Sequence, residues 1–248
     1  MYNPFSLTGK TVLVSGASSG IGKAIAIECS KMGARVIITG RNEERLEETY
    51  RFLEGNDHKF IVADLSLEED LILLAEQLPI LDGVVHSAGT NSLQPFQFIE
   101  KKHVDAIFSI NFTGPILLSQ KALRLRKLNK GASIVFISSI SGVFCSSVGS
   151  SLYSSTKGAI NGVVKGMALD LASKGIRVNS INPGVVETNI FSHGMLTEEQ
   201  LSIEMKRYPL KRYGRPDEIA HACIYLLSNA SAWVTGTNLV IDGGYLLL

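Results

Sequence analysis

Residues 15–22, which read SGASSGIG, constrain the fold of this chain more than any other stretch. Before them, Thr11–Ser15 is apolar and β-branched, which is typical of a buried strand; after them, Gly20–Met32 has the apolar spacing of a helix. The first glycine, Gly16, permits a tight turn, and the other two let a pyrophosphate approach the backbone. Because free N–H groups at a helix N-terminus bind phosphate, this turn predicts a dinucleotide site. The alternative is a plain loop rich in glycine and serine.

Short apolar strands alternate with amphipathic helices along the rest of the chain. Further strands are predicted at Arg35–Thr39, Lys59–Ala63, Gly83–His86, Ser133–Ile137, Arg177–Ile181 and Asn238–Ile241. Further helices are predicted at Glu43–Leu53, Val104–Arg126, Tyr153–Ser173 and Pro216–Leu227. The alternation predicts the α/β class, with residues 1–248 as a single domain around a doubly wound parallel sheet of about seven strands, flanked by helices. Right-handed crossovers then bring ligands to the carboxyl ends of the strands.

Composition argues against several classes of function. A net charge of +1 gives no electrostatic support for a nucleic-acid partner, and no apolar stretch is long enough to span a membrane. The five histidines show no metal-ligand spacing, and the three cysteines are too far apart for a disulfide framework. The opening residues MYNPFSLTGK lack the blocks of a signal peptide. We therefore expect a cytoplasmic protein without a metal site.

A tyrosine and a lysine, Tyr153 and Lys157, stand four residues apart at the start of a predicted helix. This spacing places both side chains on one helix face. Tyrosine ordinarily titrates near ~10, and an ammonium within about 4–6 Å favours the phenolate and lowers that pKa. The pair therefore indicates a proton donor and acceptor that works nearer neutral pH. The alternative is an unrelated pair on a solvated helix face.

Two spacings in the chain are similar to those of a known family. The glycine turn reads G-x-x-x-G-x-G, and Tyr153 and Lys157 form Y-x-x-x-K after a serine-rich loop. In both, the chain resembles the short-chain dehydrogenase/reductase family, nearest to its 3-oxoacyl-carrier-protein reductases. The resemblance covers essentially the whole chain and implies a Rossmann fold and hydride transfer between a nicotinamide cofactor and a carbonyl or secondary alcohol. It implies cofactor contacts from the turn residues Gly16, Ser18, Ser19, Gly20, Ile21 and Gly22.

The resemblance assigns the catalytic roles to Asn111, Ser139, Tyr153 and Lys157. Ser139 fits the family's Ser-x-x-Gly register and would hold the substrate oxygen, with Ser138 and Ser141 as the alternatives. Asn111 would open its helix and hold a water connected to the lysine; alternatively, it forms a local kink bonded to its own backbone. Lys157 would also bind the ribose hydroxyls of the cofactor.

The stretch Thr39-Gly40-Arg41-Asn42, after the second predicted strand, indicates which dinucleotide binds. An acid at this strand end would bind the ribose hydroxyls of NAD, and there is none. Arg41 offers a guanidinium suited to a 2′-phosphate, so NADP(H) is the predicted cofactor. The alternatives for Arg41 are a solvated turn residue or stacking on the adenine. Ser19 stands where many NADP-binding relatives carry a basic residue, which departs from the pattern.

Asp64 and Leu65 follow the third predicted strand. The resemblance implies that Asp64 accepts a hydrogen bond from the adenine amino group. The alternative is that it caps the next helix turn, where Ser66 and Glu69 already form a capping-box pattern.

Cofactor contacts are also implied after the fourth and sixth strands. Ser87 stands where the family usually has asparagine; it is shorter but can still donate a hydrogen bond. Ala88 and Gly89 keep the backbone close to the adenosine ribose, whereas His86 is interpreted as a packed strand residue. The stretch after the sixth strand would hold the nicotinamide carboxamide through Pro183, Gly184, Val186 and Thr188.

Residues 189–209 occupy the place of a substrate lid in the family. They include an amphipathic set that would close over a moderately apolar substrate: Phe191, His193, Met195, Leu196, Met205 and Tyr208. The alternative is that the same residues pack the lid onto the domain. The predicted substrate is a small molecule or an acyl thioester. Two further interpretations remain, a sugar, polyol or steroid dehydrogenase of the same family and a non-catalytic NADP-binding regulator.

Basic residues and glycines on the two long helices suggest partners. The basic set would meet an acidic acyl carrier protein, or only complements helix C-termini: Lys121, Arg124, Arg126, Lys127, Lys130 and Lys174. The small residues Gly158, Gly162 and Gly166 would allow close approach of a second helix. Because relatives pair these helices across a two-fold axis, a homotetramer is predicted.

Overall fold

The computed structural model describes residues 2–188 and 205–248. Its strands are β1 (Thr11–Ser15), β2 (Arg35–Gly40), β3 (Lys59–Val62), β4 (Leu81–His86), β5 (Leu128–Ile137), β6 (Arg177–Pro183) and β7 (Asn238–Ile241). They form one sheet in the order β3-β2-β1-β4-β5-β6-β7, and every neighbouring pair is parallel. The predicted α/β class and parallel sheet of about seven strands are therefore confirmed.

Helices cover both faces of this sheet. They are α1 (Gly20–Lys31), α2 (Glu43–Tyr50), α3 (Glu68–Gln77), α4 (Lys101–Phe108), α5 (Gly114–Arg124), α6 (Ser151–Leu171) and α7 (Pro216–Leu227). In the described part of the chain, no helix combines the length and the apolar character needed to cross a membrane.

The first strand shows why the sheet is covered on both faces. Val12 and Val14 point into a core shared with α1, α2 and α7, whereas Leu13 points into a second core shared with α3, α5 and α6. The alternation follows from the two-residue period of a strand. Because all three side chains are fully buried, the segment reads as a continuous apolar run, as in other parallel sheets. The doubly wound arrangement is thus confirmed.

The order of the strands reverses direction between β1 and β4. Connections leave these two strands towards opposite edges of the sheet, so a crevice opens at their carboxyl ends. Predicted site residues follow directly on the strand ends along this edge: Gly16, Arg41, Asp64, Ser87, Ser139 and Gly184. The fold therefore collects them on one side of the molecule.

The single helix predicted at Val104–Arg126 is interrupted. The chain forms α4, passes through a π-helical turn at Ser109–Thr113 and continues as α5. The π-helical turn holds Asn111, whose buried side chain bonds to residues outside the helix. Such a turn depends on where the Asn111 side chain finds its hydrogen-bond partners, which apolar spacing does not encode.

The capping box predicted for Ser66 and Glu69 is wrong. α3 begins at Glu68, and no side chain caps its N-terminus. The Ser66 hydroxyl instead donates to Asp64 Oδ1 at 2.7 Å, and Ser66 N donates to the same oxygen at 2.9 Å. The serine therefore organises the turn before the helix rather than the helix itself.

The predicted substrate lid, residues 189–209, falls mostly in the gap between the two described segments. Residues 189–204, which include Phe191, His193, Met195 and Leu196, lie outside the described residues. Tyr208, near the end of the predicted lid, is buried against Tyr213 and Tyr245. For Tyr208, the structure therefore favours packing onto the domain.

Candidate active site

The three glycines of the turn between β1 and α1 are required for different structural reasons. Gly16 has φ +67°, and a Cβ there would lie 2.6 Å from Ala88 Cα. A Cβ on Gly22 would collide with the Gly16 carbonyl oxygen. These two glycines keep the turn, the end of β4 and α1 in close contact. Gly20, with φ +54°, faces the other side of the crevice, where its Cβ would lie 3.3 Å from Thr188 Cγ2.

The first turn of α1 can hold a pyrophosphate. Ser19 precedes the helix in an extended conformation, and its side chain makes no capping hydrogen bond. The helix N-terminus therefore keeps N–H groups that its own cap does not satisfy. Ser18 approaches β2, where a Cβ on Gly40 would lie 3.6 Å from Ser18 Oγ. Ile21, half-buried, belongs to the same helical turn.

An arginine and an aspartate mark the far end of the crevice. Arg41 is exposed after β2, and Asp64 is half-buried after β3. Burial raises the pKa of the Asp64 carboxyl, but the hydrogen bonds from Ser66 and the charge of Arg41 outweigh it, so the pKa lies below its ordinary value. Leu65 is buried, and its carbonyl fills the space that a Cβ on Gly114 would need. Arg41 thus presents an exposed cation beside an ionised carboxylate.

The end of β4 joins the cofactor crevice to the centre of the site. Ala88 N donates to Ser15 Oγ at 3.3 Å, which ties this strand end to β1. Ser87, the residue between the end of β4 and Ala88, is half-buried. A Cβ on Gly89 would lie 3.3 Å from Asn111 Oδ1 and 3.7 Å from Lys157 Nζ. Gly89 therefore marks the point where two of the predicted catalytic side chains, Asn111 and Lys157, meet.

His86 is a packed strand residue, as predicted. Its ring stacks on Phe136 with 4.7 Å between ring centroids, and Nε2 lies 2.7 Å from Ser119 Oγ. Burial lowers the pKa of the imidazole to about 3, so His86 is neutral in the working range. It packs the core beside the site.

Asn111 is held by hydrogen bonds outside its helix. Its Oδ1 accepts from Thr90 N at 2.8 Å, and its Nδ2 donates to Thr90 O at 2.9 Å and to Thr156 Oγ1 at 3.1 Å. These bonds need the side chain to leave the regular helical position, which accounts for the π-helical turn. The alternative of a kink bonded to its own backbone is wrong, because all three partners lie elsewhere in the chain.

Of the serines after β5, Ser139 is the one that meets the tyrosine. Ser138 Oγ donates to Lys157 O at 3.0 Å and fastens β5 to α6. Ser139 is hydrogen-bonded to Tyr153, and its Oγ accepts from Ser141 N at 3.1 Å. Lys157 Nζ donates to Ile137 O at 2.8 Å and lies 5.6 Å from the centroid of the Tyr153 ring.

Burial dominates the electrostatics of the Tyr153–Lys157 pair. Burial raises the pKa of Tyr153, and the hydrogen bond with Ser139 only partly opposes this. Burial also lowers the pKa of Lys157 to about 8, because the ammonium loses its hydration. The lowered tyrosine pKa expected from the sequence is therefore not found. The phenol is protonated at neutral pH, beside a lysine that titrates close to that range.

In the segment after β6, the backbone of Val186 makes no hydrogen bond among the described residues, and Thr188 has a buried hydroxyl. Gly214 N donates to Val185 O at 3.0 Å and Glu187 N donates to Gly214 O at 2.8 Å, so the N–H and C=O of Val186 between them point away from Gly214. Thr188 Oγ1 is buried without a hydrogen-bond partner among the described residues. An amide such as a nicotinamide carboxamide fits these groups, since it both donates and accepts.

The two residues just before this segment, Pro183 and Gly184, are held in place by contacts with other parts of the chain. Pro183 O accepts from Ile140 N at 3.1 Å, which joins the end of β6 to the serine loop. Gly184 packs on Asp242, where a Cβ would lie 3.0 Å from Asp242 Cα. The uncapped helix, the close glycines and the Thr188 hydroxyl, which has no partner in the described part of the chain, together fit a dinucleotide along the crevice.

Sequence reasoning missed the threonines that hold Asn111. Thr90 follows the predicted contact Gly89, and Thr156 lies between Tyr153 and Lys157. Thr156 is fully buried, and its hydroxyl donates to Tyr153 O at 2.7 Å. Neither threonine carries a spacing signal of its own; a polar residue beside a predicted catalytic one was the only available hint.

Several members of the predicted basic set have structural partners. Lys127 Nζ donates to Glu76 O at 3.1 Å and Leu78 O at 2.6 Å, which caps the end of α3, and Lys121 pairs with Glu68 at 3.5 Å. These contacts favour the helix C-terminus explanation for Lys127. Lys130 and Lys174 are exposed and flank Gly131 and Gly175, which touch each other. The set lies at the amino edge of the sheet, opposite Tyr153.

Comparison with known proteins gives a consistent result. Residues 16–246 match a family model described as enoyl-(acyl carrier protein) reductase. The chain is 32% identical to the 3-oxoacyl-[acyl-carrier-protein] reductase of Rickettsia felis, over 98% of this chain and 99% of the relative. A solved short-chain dehydrogenase/reductase family protein superposes with a TM-score of 0.87 at 31% identity, covering 97% of this chain and 99% of the other.

A second solved structure was determined with a cofactor. It is a candidate 2-deoxy-D-gluconate 3-dehydrogenase from Agrobacterium tumefaciens with bound NADP. It superposes with a TM-score of 0.88 at 27% identity and covers all of both chains. The similarity thus extends to a protein whose name refers to a sugar acid rather than an acyl thioester.

Proposed function

The chain belongs to the short-chain dehydrogenase/reductase family, and on this premise we propose that it is an NADP(H)-dependent oxidoreductase that reduces a carbonyl to a secondary alcohol. Members of this family use NAD or NADP. The observation that carries the proposal is a chain of contacts: Ser139 bonds to Tyr153, Lys157 Nζ lies 5.6 Å from the centroid of the Tyr153 ring, and Lys157 and Asn111 both approach Gly89. Carbonyl reduction needs such a proton donor with hydrogen-bond donors around the oxygen.

Each of these residues has a distinct role in the proposed mechanism. Bound NADPH would supply the hydride for the carbonyl carbon. Tyr153 donates its proton to the carbonyl oxygen, and its raised pKa keeps the phenol protonated until then. Ser139 donates a hydrogen bond to the same oxygen, where negative charge develops. Lys157 binds the ribose hydroxyls, and Asn111, close to the same ammonium, supports return of a proton to Tyr153.

Removing the Tyr153 hydroxyl tests this mechanism directly. Tyr153→Phe should lower turnover by about 10²–10⁴-fold, because the proton donor is lost. NADPH binding, measured by fluorescence titration, should stay unchanged. Tyr50→Phe is the matched control, since Tyr50 lies on α2 against Phe60, away from the catalytic residues. Near-normal turnover of the Tyr153→Phe variant would contradict the proposal.

NADP(H) is proposed over NAD because of Arg41. Its exposed guanidinium lies close enough to Asp64 to lower the pKa of that carboxyl, at the end of the crevice where an adenosine ribose would bind. The similar structure with bound NADP supports the same choice. Arg41→Ala should raise KM for NADPH about tenfold more than KM for NADH. Arg45→Ala, on the neighbouring helix, should leave the ratio unchanged; an unchanged ratio in Arg41→Ala would exclude the role.

A 3-oxoacyl thioester is the proposed substrate, supported by similarity to the Rickettsia reductase over nearly the whole chain. An acyl carrier protein is the proposed partner, with Lys130 and Lys174 as an exposed basic pair for an acidic surface. Because this pair lies at the amino edge of the sheet, opposite Tyr153, a carrier protein docked there would serve the crevice of another subunit of the proposed tetramer and not that of the same chain. The NADP-bound relative favours a second candidate, dehydrogenation of a sugar acid or polyol.

A panel of carbonyl compounds separates the candidates. NADPH oxidation is followed with an acetoacetyl thioester, a simple ketone, a keto-sugar and a ketosteroid, with NADH in parallel. We expect turnover of the thioester with NADPH. Turnover of the keto-sugar or ketosteroid alone would keep the mechanism and replace the substrate. NADPH binding without turnover of any compound would favour a non-catalytic regulator. A homotetrameric assembly and a cytoplasmic location are part of the same proposal.

A further inference from the structure

One buried tyrosine anchors the start of the second described segment, residues 205–248. Tyr208 is 1% exposed, which makes it the largest side chain in the described part of the core with so little exposure. Its ring packs edge-on against Tyr213, with 5.4 Å between centroids, and tilted against Tyr245 at 4.9 Å. A Cβ on Gly243 would lie 3.5 Å from the ring. Two stretches of chain, around Tyr213 and at Gly243–Tyr245, therefore fix the orientation of this side chain.

The hydroxyl of Tyr208 reaches the segment after β6. Val185 N donates to Tyr208 Oη at 3.3 Å, and Val185 O accepts from Gly214 N at 3.0 Å. Both backbone groups of Val185 are thus held: its N–H by the Tyr208 hydroxyl and its carbonyl by the Gly214 N–H. The next residue is Val186, whose N–H and C=O face away from Gly214. Any rotation of Val185 would turn these two groups.

We propose that Tyr208 is a positioning residue for the nicotinamide half of the cofactor. The inference rests on the proposed function, in which Val186 and Thr188 bind the carboxamide. The Tyr208 hydroxyl holds the Gly184–Val185 peptide through the Val185 N–H. By fixing this end of Val185 it restrains the next peptide, which carries the Val186 N–H. Without the hydroxyl, Val185 N loses its partner in a part-buried position, and the turn relaxes towards another one. The adenosine end of the crevice, at Arg41 and Asp64, is not connected to this turn and stays unchanged.

Binding of the whole cofactor and of a fragment tests the proposal. The probes are NADPH and adenosine 2′,5′-bisphosphate, which lacks the nicotinamide, and calorimetry measures both dissociation constants. Tyr208→Phe should weaken NADPH binding about three- to tenfold, the effect of one lost hydrogen bond, and leave bisphosphate binding unchanged. Tyr245→Phe is the matched control, because its ring packs in the same cluster and its hydroxyl bonds to no described residue. It should change neither constant.

Each other outcome overturns a defined claim. Unchanged NADPH binding in Tyr208→Phe, or an equal loss for both probes, would overturn the positioning role. A wild-type protein that binds the bisphosphate as tightly as NADPH would overturn the proposed nicotinamide site itself, so the two failures are distinguishable. In turnover, the variant should raise KM for NADPH more than it lowers kcat, which general loosening of the fold would not produce.

Amide hydrogen exchange on the wild type gives an independent test that needs no variant. The Val185 amide should be protected with or without NADPH, because Tyr208 accepts from it in both states. The Val186 amide should gain protection only when NADPH is added. Rapid exchange of the Val185 amide in the absence of NADPH would overturn the proposal.

Discussion

His86 shows how a buried residue next to the chemistry couples stability to pH. Burial lowers the pKa of its imidazole to about 3, against an ordinary value near 6.5. Below pH ~6.5 the unfolded chain therefore binds a proton that the folded chain does not. Stability contributed by neutral His86 is fully present above that pH and is lost as the pH falls towards 3. The loss is on the order of 3–5 kcal/mol over the window.

A non-titrating ring at position 86 should remove this dependence. His86→Phe keeps an aromatic ring against Phe136 but gives up the contact with Ser119. We expect it to lower stability at pH 7 by about 1–2 kcal/mol and to flatten the slope between pH 6 and 5 by up to about 1.4 kcal/mol per unit. Urea unfolding at these pH values measures both. His221→Gln, at an exposed position, should keep the wild-type slope, and an equally steep slope in His86→Phe would contradict the assignment.

At the same scale, sequence spacing identified some of the site residues, whereas others could be identified only from the geometry of the structure. Tyr153 and Lys157 could be chosen from the sequence because a helix brings positions four apart together. Ser138 and Ser139 could not be distinguished, since a shift of one residue turns a side chain to the opposite face of a strand end. The structure separates them: Ser138 bonds to the backbone of α6, and Ser139 meets Tyr153.

The π-helical turn between α4 and α5 contains the proposed catalytic residue Asn111. It forms because both polar atoms of the Asn111 side chain are hydrogen-bonded to Thr90 and Thr156, and neither bonds to its own helix. Asn111→Ala removes all three hydrogen bonds, so we expect the turn to relax towards a regular helix. Stability should fall by about 1–3 kcal/mol and turnover by about tenfold or more.

Ser109 provides the matched control for this variant. It lies in the same turn, but its hydroxyl donates to Asp105 O one helical turn earlier. Ser109→Ala should therefore keep the turnover of the wild type. Thermal unfolding and steady-state kinetics on both variants check the prediction. If Asn111→Ala lost stability and kept full turnover, the turn would be a structural feature only.

Regular elements were predictable and their irregularities were not. Strand and helix positions follow from the period of apolar residues, which is why β1, α7 and β7 have the predicted bounds. The π-helical turn depends on the side chain of Asn111, whose partners Thr90 and Thr156 lie far away in the sequence. This is a tertiary effect, and no local pattern in the sequence encodes it. The start of α3 depends on a local competition, in which Ser66 bonds to Asp64 instead of capping the helix.

For the whole molecule, the sequence predicted the edge of the sheet at which the site assembles. Parallel strands put all their carboxyl ends on one edge, so the motifs after successive strands must meet there. The pKa values of the titratable groups in the site could not be predicted in this way. Spacing suggested a lysine that lowers the pKa of Tyr153, whereas the pKa of each group depends on how deeply the complete fold buries it.

Assembly is the remaining property at this scale, and α6 carries the prediction. Of its three glycines, Gly158 packs inside the chain against Gly142, but a Cβ on Gly162 or Gly166 would meet nothing within 4 Å. Leu169, on the same helix, is 80% exposed. A helix face of small residues with an exposed leucine leaves room for the same helix of a second copy to pack closely, as the proposed homotetramer requires.

Light scattering should therefore give a mass near four times the 26.8 kDa of one chain. Leu169→Glu should shift the protein to smaller assemblies, because an unpaired carboxylate would have to be buried between the helices. Leu73→Glu changes an exposed leucine on α3 in the same way and should leave the mass unchanged. A wild-type monomer would refute the tetramer. A tetramer that tolerates Leu169→Glu would instead place its interfaces on other surfaces, and the open glycines of α6 would then need a different explanation.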